Sequence, residues 1–153
     1  MQLIILKTEI NAPIDECFDL SRSIDLHLDS MKTSNERAIS GKTSGLIDLD
    51  ESVTWLARHF GIRFKMTSQV TDMKKPYQFM DEMVKGPFKS LKHLHYFNAK
   101  EESTEMLDVF EFEAPLGFLG WIAEHTFLRF YMKRLLCKRN AMIKLEAENL
   151  CKK

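Results

Sequence analysis

The sequence predicts an α+β domain in which a curved antiparallel sheet closes around a long C-terminal helix, with two short helices after the first strand. Three observations predict this class. The length of 153 residues suits one ordinary domain. Successive segments between Asp50 and Glu113 alternate apolar and polar residues, and a segment without proline or glycine follows Gly120. We therefore expect a single domain over residues 1–153, with the last helix covering the apolar face of the sheet.

The first third of the chain predicts a strand and then short helices. Gln2–Asn11 is mostly apolar and contains β-branched residues, which is typical of a strand. Pro13 suits the first turn of a helix, where its missing N–H costs nothing. Apolar residues at helical spacing then predict two short helices within 13–30. Ser34–Leu49 contains two glycines, so we expect a weak strand and a loop there.

The middle of the chain predicts further antiparallel strands. Residues 53–58 and 62–67 alternate in polarity on either side of Phe60-Gly61, which predicts a half-buried hairpin. Pro76 and Gly86-Pro87 mark the next breaks. The remaining predicted strands are Tyr77–Val84, Phe88–Phe97 and Thr104–Glu113.

The segment after Gly120 predicts one long helix. On a helical wheel its core-facing stripe contains Trp121, His125, Leu128, Met132, Leu135, Leu136, Arg139 and Ile143. Phe127 and Phe130 fall outside this stripe and indicate a second contact on the helix surface. This contact would be either a homodimer interface through the C-terminal helix or a flap over the mouth of a cavity between the helix and the sheet.

The composition excludes several classes of protein. Lysine plus arginine and aspartate plus glutamate are both 22, so no net charge draws the chain to nucleic acid or to an anionic membrane. No apolar run approaches the roughly 18 residues of a transmembrane segment. No glycine-rich phosphate loop and no GxSxG motif is present. Three scattered cysteines and the absence of a signal-peptide pattern predict reduced thiols and a cytoplasmic location.

With these elements in place, the chain resembles the START-like, or SRPBCC, superfamily and its helix-grip fold. The stretches that carry the resemblance are Val53–Gly61, Asp81–Phe88, His93–Phe97 and Ala114–Gly117. They are similar to a bacterial branch described as ligand-binding SRPBCC or polyketide cyclase-like proteins. The resemblance implies one START-like domain over 1–153 and a hydrophobic cavity between sheet and helix that accepts a small or lipidic molecule. Function varies widely within this fold, so the resemblance does not choose among functions.

Strand parity predicts which side chains face that cavity. Apolar residues occupy the odd positions of 53–59, 77–83 and 88–97 and the even positions of 106–112. The predicted apolar wall consists of Trp55, Phe64, Phe79, Phe97, Phe110, Leu128 and Met132. The same parity and the helix stripe send seven polar residues inward: His59, Asp81, His93, His95, Asp108, His125 and Arg139. Five of them would orient the polar end of a guest: His59, Asp81, His93, His95 and Asp108.

The inward histidines and aspartates are the best candidates for chemistry. A buried imidazole beside a carboxylate is held in one tautomer and can exchange a proton, so His59, His93 and Asp81 are the catalytic candidates. Buried His–Asp pairs are also common as purely structural contacts, and that interpretation stays open.

A metal site is a weaker interpretation of the same residues. His93 and His95 project to one side of a strand, and His59, Asp81 or Asp108 could add a ligand. Because no diagnostic spacing of ligands is present, the sequence assigns neither a metal nor a cofactor.

The sequence thus predicts non-enzymatic binding or carriage of a small hydrophobic or amphipathic molecule. One alternative is a polyketide cyclase or dehydratase, a lyase in which cavity histidine and aspartate act as base and acid. Another is a module whose Phe127 and Phe130 surface meets a protein or a membrane. Whether the chain is an enzyme is therefore undecided at this point.

Overall fold

A computed structural model describes residues 1–152, except for the side chains of Trp121 and Glu124. Over these residues, seven strands form one antiparallel sheet in the spatial order first, seventh, sixth, fifth, fourth, third, second. The elements are β1 (Gln2–Ile10), α1 (Ile14–Ser21), α2 (Ile24–Ser30), β2 (Arg37–Gly41), β3 (Ser52–His59), β4 (Ile62–Lys74), β5 (Gln78–Lys85), β6 (Ser90–Ala99), β7 (Thr104–Glu113), α3 (Gly117–Ala123) and α4 (Arg129–Leu150). The α+β prediction, with two short helices after β1 and a long helix at the end, is confirmed.

The central strands show the alternation that the sequence predicts. In β6 the odd positions Leu91, His93, His95 and Phe97 are buried, while the even position Tyr96 is exposed. In β7 the even positions are the buried ones, and the register sets Leu91 opposite Phe112, His93 opposite Phe110 and His95 opposite Asp108. Buried side chains of both strands therefore share the face of the sheet that α4 covers.

The packed core lies at the two ends of this face. At one end Phe18 of α1 places its ring 5.5 Å from Phe79 and 5.4 Å from Phe97, in edge-to-face contact. At the other end Ile4, Phe110, Phe112 and Leu136 form a second apolar cluster, in which α4 packs against β1 and β7. Between these two clusters the helix and the sheet separate, and this gap holds the candidate site.

The sequence predicts one regular helix after Gly120, but the observed C-terminal helix is irregular. It begins at Gly117 and is interrupted by a π turn, Glu124–Leu128, before α4 continues. Within this turn the Thr126 hydroxyl donates to the carbonyl oxygen of Ile122 at 2.8 Å, a contact that competes with the regular ladder of hydrogen bonds. A π turn adds a residue to one turn and so rotates the side chains that precede it. No helix among the described residues is long and apolar enough to cross a membrane.

Two glycines in left-handed conformation allow a matched test of backbone geometry at β2. Gly41 has φ +74°, and a Cβ there would lie 2.2 Å from the carbonyl oxygen of Ser52. Gly45 has φ +75°, but a Cβ there would meet nothing within 4 Å. We expect Gly45→Ala to lower the free energy of unfolding by about 1 kcal/mol through backbone strain alone, and Gly41→Ala by at least about 1 kcal/mol more. Urea unfolding of both variants measures this difference, and equal losses would contradict the close approach of β2 to β3.

Candidate functional site

A cavity of about 470 Å³ lies between the sheet and α4. Most of the predicted site residues line it: Trp55, His59, Phe64, Phe79, Asp81, His93, His95, Phe110, Leu128 and Met132. Arg139, on the helix stripe, lines it as well. The strands supply these side chains because alternate positions of β3, β5, β6 and β7 face the helix.

Phe97, Asp108 and His125 do not line the cavity, contrary to the sequence prediction. Phe97 faces inward as expected, but it packs against Phe18 of α1 in the core beyond the end of the cavity. Asp108 also faces inward, but the rings of His93 and His95 lie between its carboxylate and the cavity and hydrogen-bond to it.

His125 is exposed because the π turn rotates it off the core-facing stripe. Its Nε2 lies 3.0 Å from the side-chain amide nitrogen of Gln2. The stripe is regular only after this turn, where Leu136, Arg139 and Ile143 are buried. Trp121, the first residue of the predicted stripe, lies outside the described side chains.

The polar wall of the cavity is a connected network of two histidines and two aspartates. Asp108 is completely buried, and its Oδ1 lies 2.9 Å from Nε2 of His93 and 2.8 Å from Nδ1 of His95. The other ring nitrogen of His95, Nε2, lies 3.2 Å from Oδ1 of Asp81 on β5. Asp81, His93 and His95 face the cavity, whereas Asp108 holds the two rings from behind.

Two residues of α4 fix the Asp108 carboxylate from the helix side. The Asn140 amide donates to Asp108 Oδ2 at 2.6 Å. The Arg139 guanidinium lies 3.6 Å from Asp108 Oδ1 and donates to the backbone carbonyl of Ser21 at 2.7 Å. The carboxylate thus faces three donors and one cation, which compensates for the cost of burying its charge.

The network keeps the aspartates ionised and His93 neutral. Burial alone would raise the pKa of Asp108, but hydrogen bonds from His93 and His95 hold that pKa well below its ordinary value of 3.8. Burial alone would also raise the pKa of Asp81, but its hydrogen bond with His95 and the positive charge of Arg139 help to lower that pKa. Burial, with a further contribution from His95, lowers the pKa of His93 to about 4. At neutral pH His93 is therefore an uncharged ring.

A second polar contact lies on the opposite side of the cavity. His59 Nδ1 and the Tyr131 hydroxyl are 2.6 Å apart, which connects the end of β3 to α4. Burial lowers the pKa of His59 and raises the pKa of Tyr131, so both groups are neutral at pH 7. The Tyr131 ring also lies 4.5 Å from that of Phe60 at the tip of the β3–β4 hairpin.

Tyr131 and His27 are among the cavity residues that sequence reasoning missed. The ring of His27 in α2 packs against Trp55 in a tilted arrangement with ring centroids 4.4 Å apart, and its Nε2 lies 2.8 Å from Oε1 of Glu36. Helix α2 is too short for its periodicity to identify an inward face, so no signal in the sequence pointed to His27. Phe127 lies within the π turn and Tyr131 lies one turn beyond it in α4, and both line the cavity.

The mouth of the cavity is apolar and exposed. Four exposed apolar side chains line the cavity at its mouth: Leu116, Leu119, Phe127 and Phe60. Phe118 and Phe130 extend this apolar surface along α3 and α4 and are about 70% exposed. A hydrophobic molecule would meet these side chains on its way into the cavity. The homodimer predicted through the C-terminal helix would cover the same surface, and it remains a prediction.

The fold is that of known helix-grip proteins, although sequence comparison identifies no family. No protein-family model matches the chain, and the curated proteins include no significant match. The Zhui aromatase/cyclase from Streptomyces sp. R1128 has a similar structure, with a TM-score of 0.76 and 11% identity over 96% of this chain and 93% of that one. Ginseng major latex-like protein 151 from Panax ginseng has a TM-score of 0.67 and 14% identity over 95% and 97% of the two chains. These similarities confirm the helix-grip fold and do not distinguish among the functions that this fold supports.

Proposed function

We propose that this chain binds a small hydrophobic or amphipathic molecule, without covalent chemistry, in the cavity between the sheet and α4. The observation that carries the proposal is the cavity itself: a space of about 470 Å³, walled mainly by apolar and aromatic side chains, with a smaller number of polar groups among them. Small-molecule sites in proteins usually have this size and this distribution of polarity.

Burial of apolar surface is a sufficient source of affinity for such a guest. A molecule that buries about 300 Å² of apolar surface gains about 7 kcal/mol from the hydrophobic effect, before the entropy of association is subtracted. The cavity-facing Asp81, His93 and His95 supply acceptors and donors for a polar end of the guest. An amphipathic molecule would therefore lie with its polar group at β5 and β6 and its apolar body toward Trp55 and Phe64.

A cyclase or dehydratase is the second candidate, supported by the structural similarity to an aromatase/cyclase and by the buried His–Asp contacts. The electrostatics favour binding over catalysis. An efficient general base has a pKa near the working pH, whereas the pKa of His93 is about 4 and that of His59 is lowered too. A turnover assay on poly-keto substrates separates the enzyme from the carrier. His59→Ala and His93→Ala would abolish the reaction rate of an enzyme, whereas in a carrier they would only lower the affinity for the ligand.

Ligand binding is tested by thermal shift and native mass spectrometry with fatty acids, quinones and aromatic polyketides, in buffer containing EDTA. At a ligand concentration of about 100 times Kd we expect a stabilisation of about 2.7 kcal/mol, or a rise in Tm of roughly 5–10 °C. Ala57 is buried and lines the cavity, so Ala57→Trp should fill part of the space and abolish the shift.

The matched control is Ala99→Trp, because Ala99 is exposed at the end of β6 and outside the cavity. It should bind like the unchanged protein. The proposal is wrong if no compound in the panel shifts the Tm of the unchanged protein, or if Ala57→Trp folds and binds as well as Ala99→Trp.

A further inference from the structure

Three cavity-facing side chains form a compact set of metal-ligand types. Asp81 lies on β5, and His93 and His95 lie on the neighbouring strand β6, with Asp81 paired to His93 and Phe79 paired to His95 in the sheet register. One ligand atom from each of the three residues lies within 4.8 Å of the other two. All three side chains line the cavity, so an ion bound by them would face the cavity on its open side.

The hydrogen bonds to Asp108 determine which ring nitrogens remain for a metal. An ionised carboxylate only accepts hydrogen bonds, so Asp108 receives the N–H of His93 Nε2 and the N–H of His95 Nδ1. In the neutral tautomers, His93 Nδ1 and His95 Nε2 then carry the lone pairs. These are the nitrogens that a metal ion would bind.

This assignment leaves two acceptors facing each other. The lone pair of His95 Nε2 points at the Asp81 carboxylate, whose Oδ1 lies 3.2 Å away. A divalent metal ion between the two atoms would take both lone pairs as ligands. The spacing suits a metal, because adjacent ligands of a tetrahedral ion with bonds of about 2.0–2.1 Å are about 3.3 Å apart.

The residues behind the set supply the outer shell that metal sites in proteins require. Histidine ligands usually donate their second N–H to a carboxylate, which fixes the ring and increases its basicity. Asp108 does this for both rings at once, and Asn140 in turn holds Asp108 Oδ2 at 2.6 Å. His93 and His95 are both buried, so the two rings are oriented before any ion arrives.

We propose that Asp81, His93 and His95 bind one divalent transition-metal ion of the Zn²⁺ type, with its remaining coordination position open to the cavity. Two histidines and one carboxylate with an open position are a recurrent ligand set for such ions. The inference goes beyond the proposed function, because guest binding by apolar burial needs no metal. A bound ion would add a specific preference for guests whose polar end is a metal ligand, such as a carboxylate or an enolate.

The test is a titration of the full chain with ZnCl₂ after EDTA treatment and exchange into chelator-free buffer. We expect one ion per chain by calorimetry and elemental analysis, with a micromolar or lower Kd. Asp81→Asn removes the charged ligand with little change in size, and we expect it to weaken Zn²⁺ binding at least about 100-fold. In the unchanged protein, Zn²⁺ should also shift the NMR signals of the His93 and His95 rings, a readout that does not depend on a variant folding.

Two controls address other zinc ligands in the chain. His27→Gln changes another cavity histidine, which lies beside Glu36, and Cys137→Ser/Cys151→Ser removes the exposed thiols. Both should bind Zn²⁺ like the unchanged protein. The metal proposal is overturned if no one-to-one binding occurs, if Asp81→Asn keeps full affinity, or if the thiol variant loses the site. Guest binding measured in EDTA is independent of all these outcomes, so the two proposals fail separately.

Discussion

Replacing Asp108 by alanine is expected to lower the free energy of unfolding by about 3–5 kcal/mol, a large fraction of the stability of an ordinary domain. The carboxylate has no exposed surface, and it accepts hydrogen bonds from His93, His95 and Asn140. Its removal leaves these donors without their acceptor and takes the paired anion from the buried Arg139 guanidinium. A buried cation that loses the anion paired with it is costly, because its hydrogen bonds to neutral groups do not replace that charge.

Urea unfolding at pH 7 in EDTA measures this effect, and Glu111→Ala is the matched control. Glu111 lies on the same strand, between the buried Phe110 and Phe112, and so faces the other side of the sheet. Its removal should change stability by less than about 0.5–1 kcal/mol. A loss below about 1 kcal/mol for Asp108→Ala would show that the network contributes little to folding, contrary to its burial and geometry.

The fold was predictable because the alternation in the central strands is uninterrupted. β6 and β7 pair residue for residue from Ser90–Glu113 to Ala99–Thr104, without a bulge. A regular register preserves parity along the whole strand, so the inward positions of His93, His95 and Asp108 could be read from the sequence. Bulges in the pairing of β4 with β5 and of β2 with β3 did not disturb this result, because they lie elsewhere in the sheet.

The alternation along a strand predicts on which face of the sheet a side chain lies. It does not predict whether a side chain on that face reaches the cavity or is covered by other residues. Phe97 and Asp108 both point toward the helix, yet α1 covers the first and two imidazoles cover the second. Only the packing of α1 and the side-chain conformations decide this, and neither follows from periodicity. The site residues as ligand contacts therefore remain a proposal that the binding experiments test.

The core-facing stripe predicted for the C-terminal helix is wrong at His125, and the reason is local. A stripe calculated at a constant angle per residue assumes a regular helix, and the π turn at Glu124–Leu128 breaks that assumption. His125 consequently lies outside the cavity, while Phe127 and Tyr131 line it. Without proline or glycine in this segment, composition offers no signal for the irregular turn.

Acidification from pH 6.5 to pH 4 is expected to destabilise the metal-free protein by up to roughly 3 kcal/mol, mainly through His93. Its pKa is about 4 in the folded protein, against an ordinary value of 6.5. In this range the unfolded chain binds a proton that the folded chain does not, so the effect of His93 lowers stability as the pH falls through 6.5 and levels off near 4. Asp108 and Asp81 differ from His93, because the folded protein stabilises the charged form of each carboxyl group, whereas it destabilises the charged form of His93. Their pKa values are lowered, so the stabilising contributions of these two carboxyl groups are lost only at still lower pH.

His93→Gln isolates the contribution of His93 to this pH dependence. A glutamine amide reaches about as far as the Nε2 atom of histidine and still donates to Asp108, but it does not titrate between pH 4 and 6.5. Stability measured by urea unfolding in EDTA across this range should vary less in His93→Gln than in the unchanged protein. A smaller dependence should remain, because burial also lowers the pKa of His59.

The control for the loss of a histidine is His125→Gln, since His125 is exposed. This variant should keep the full dependence on pH. If His93→Gln and the unchanged protein lose equal stability between pH 6.5 and pH 4, then His93 binds its proton in the folded state as readily as in the unfolded chain. The ring would then be a cation beside Asp108, and the electrostatic argument that His93 is a poor general base would no longer hold.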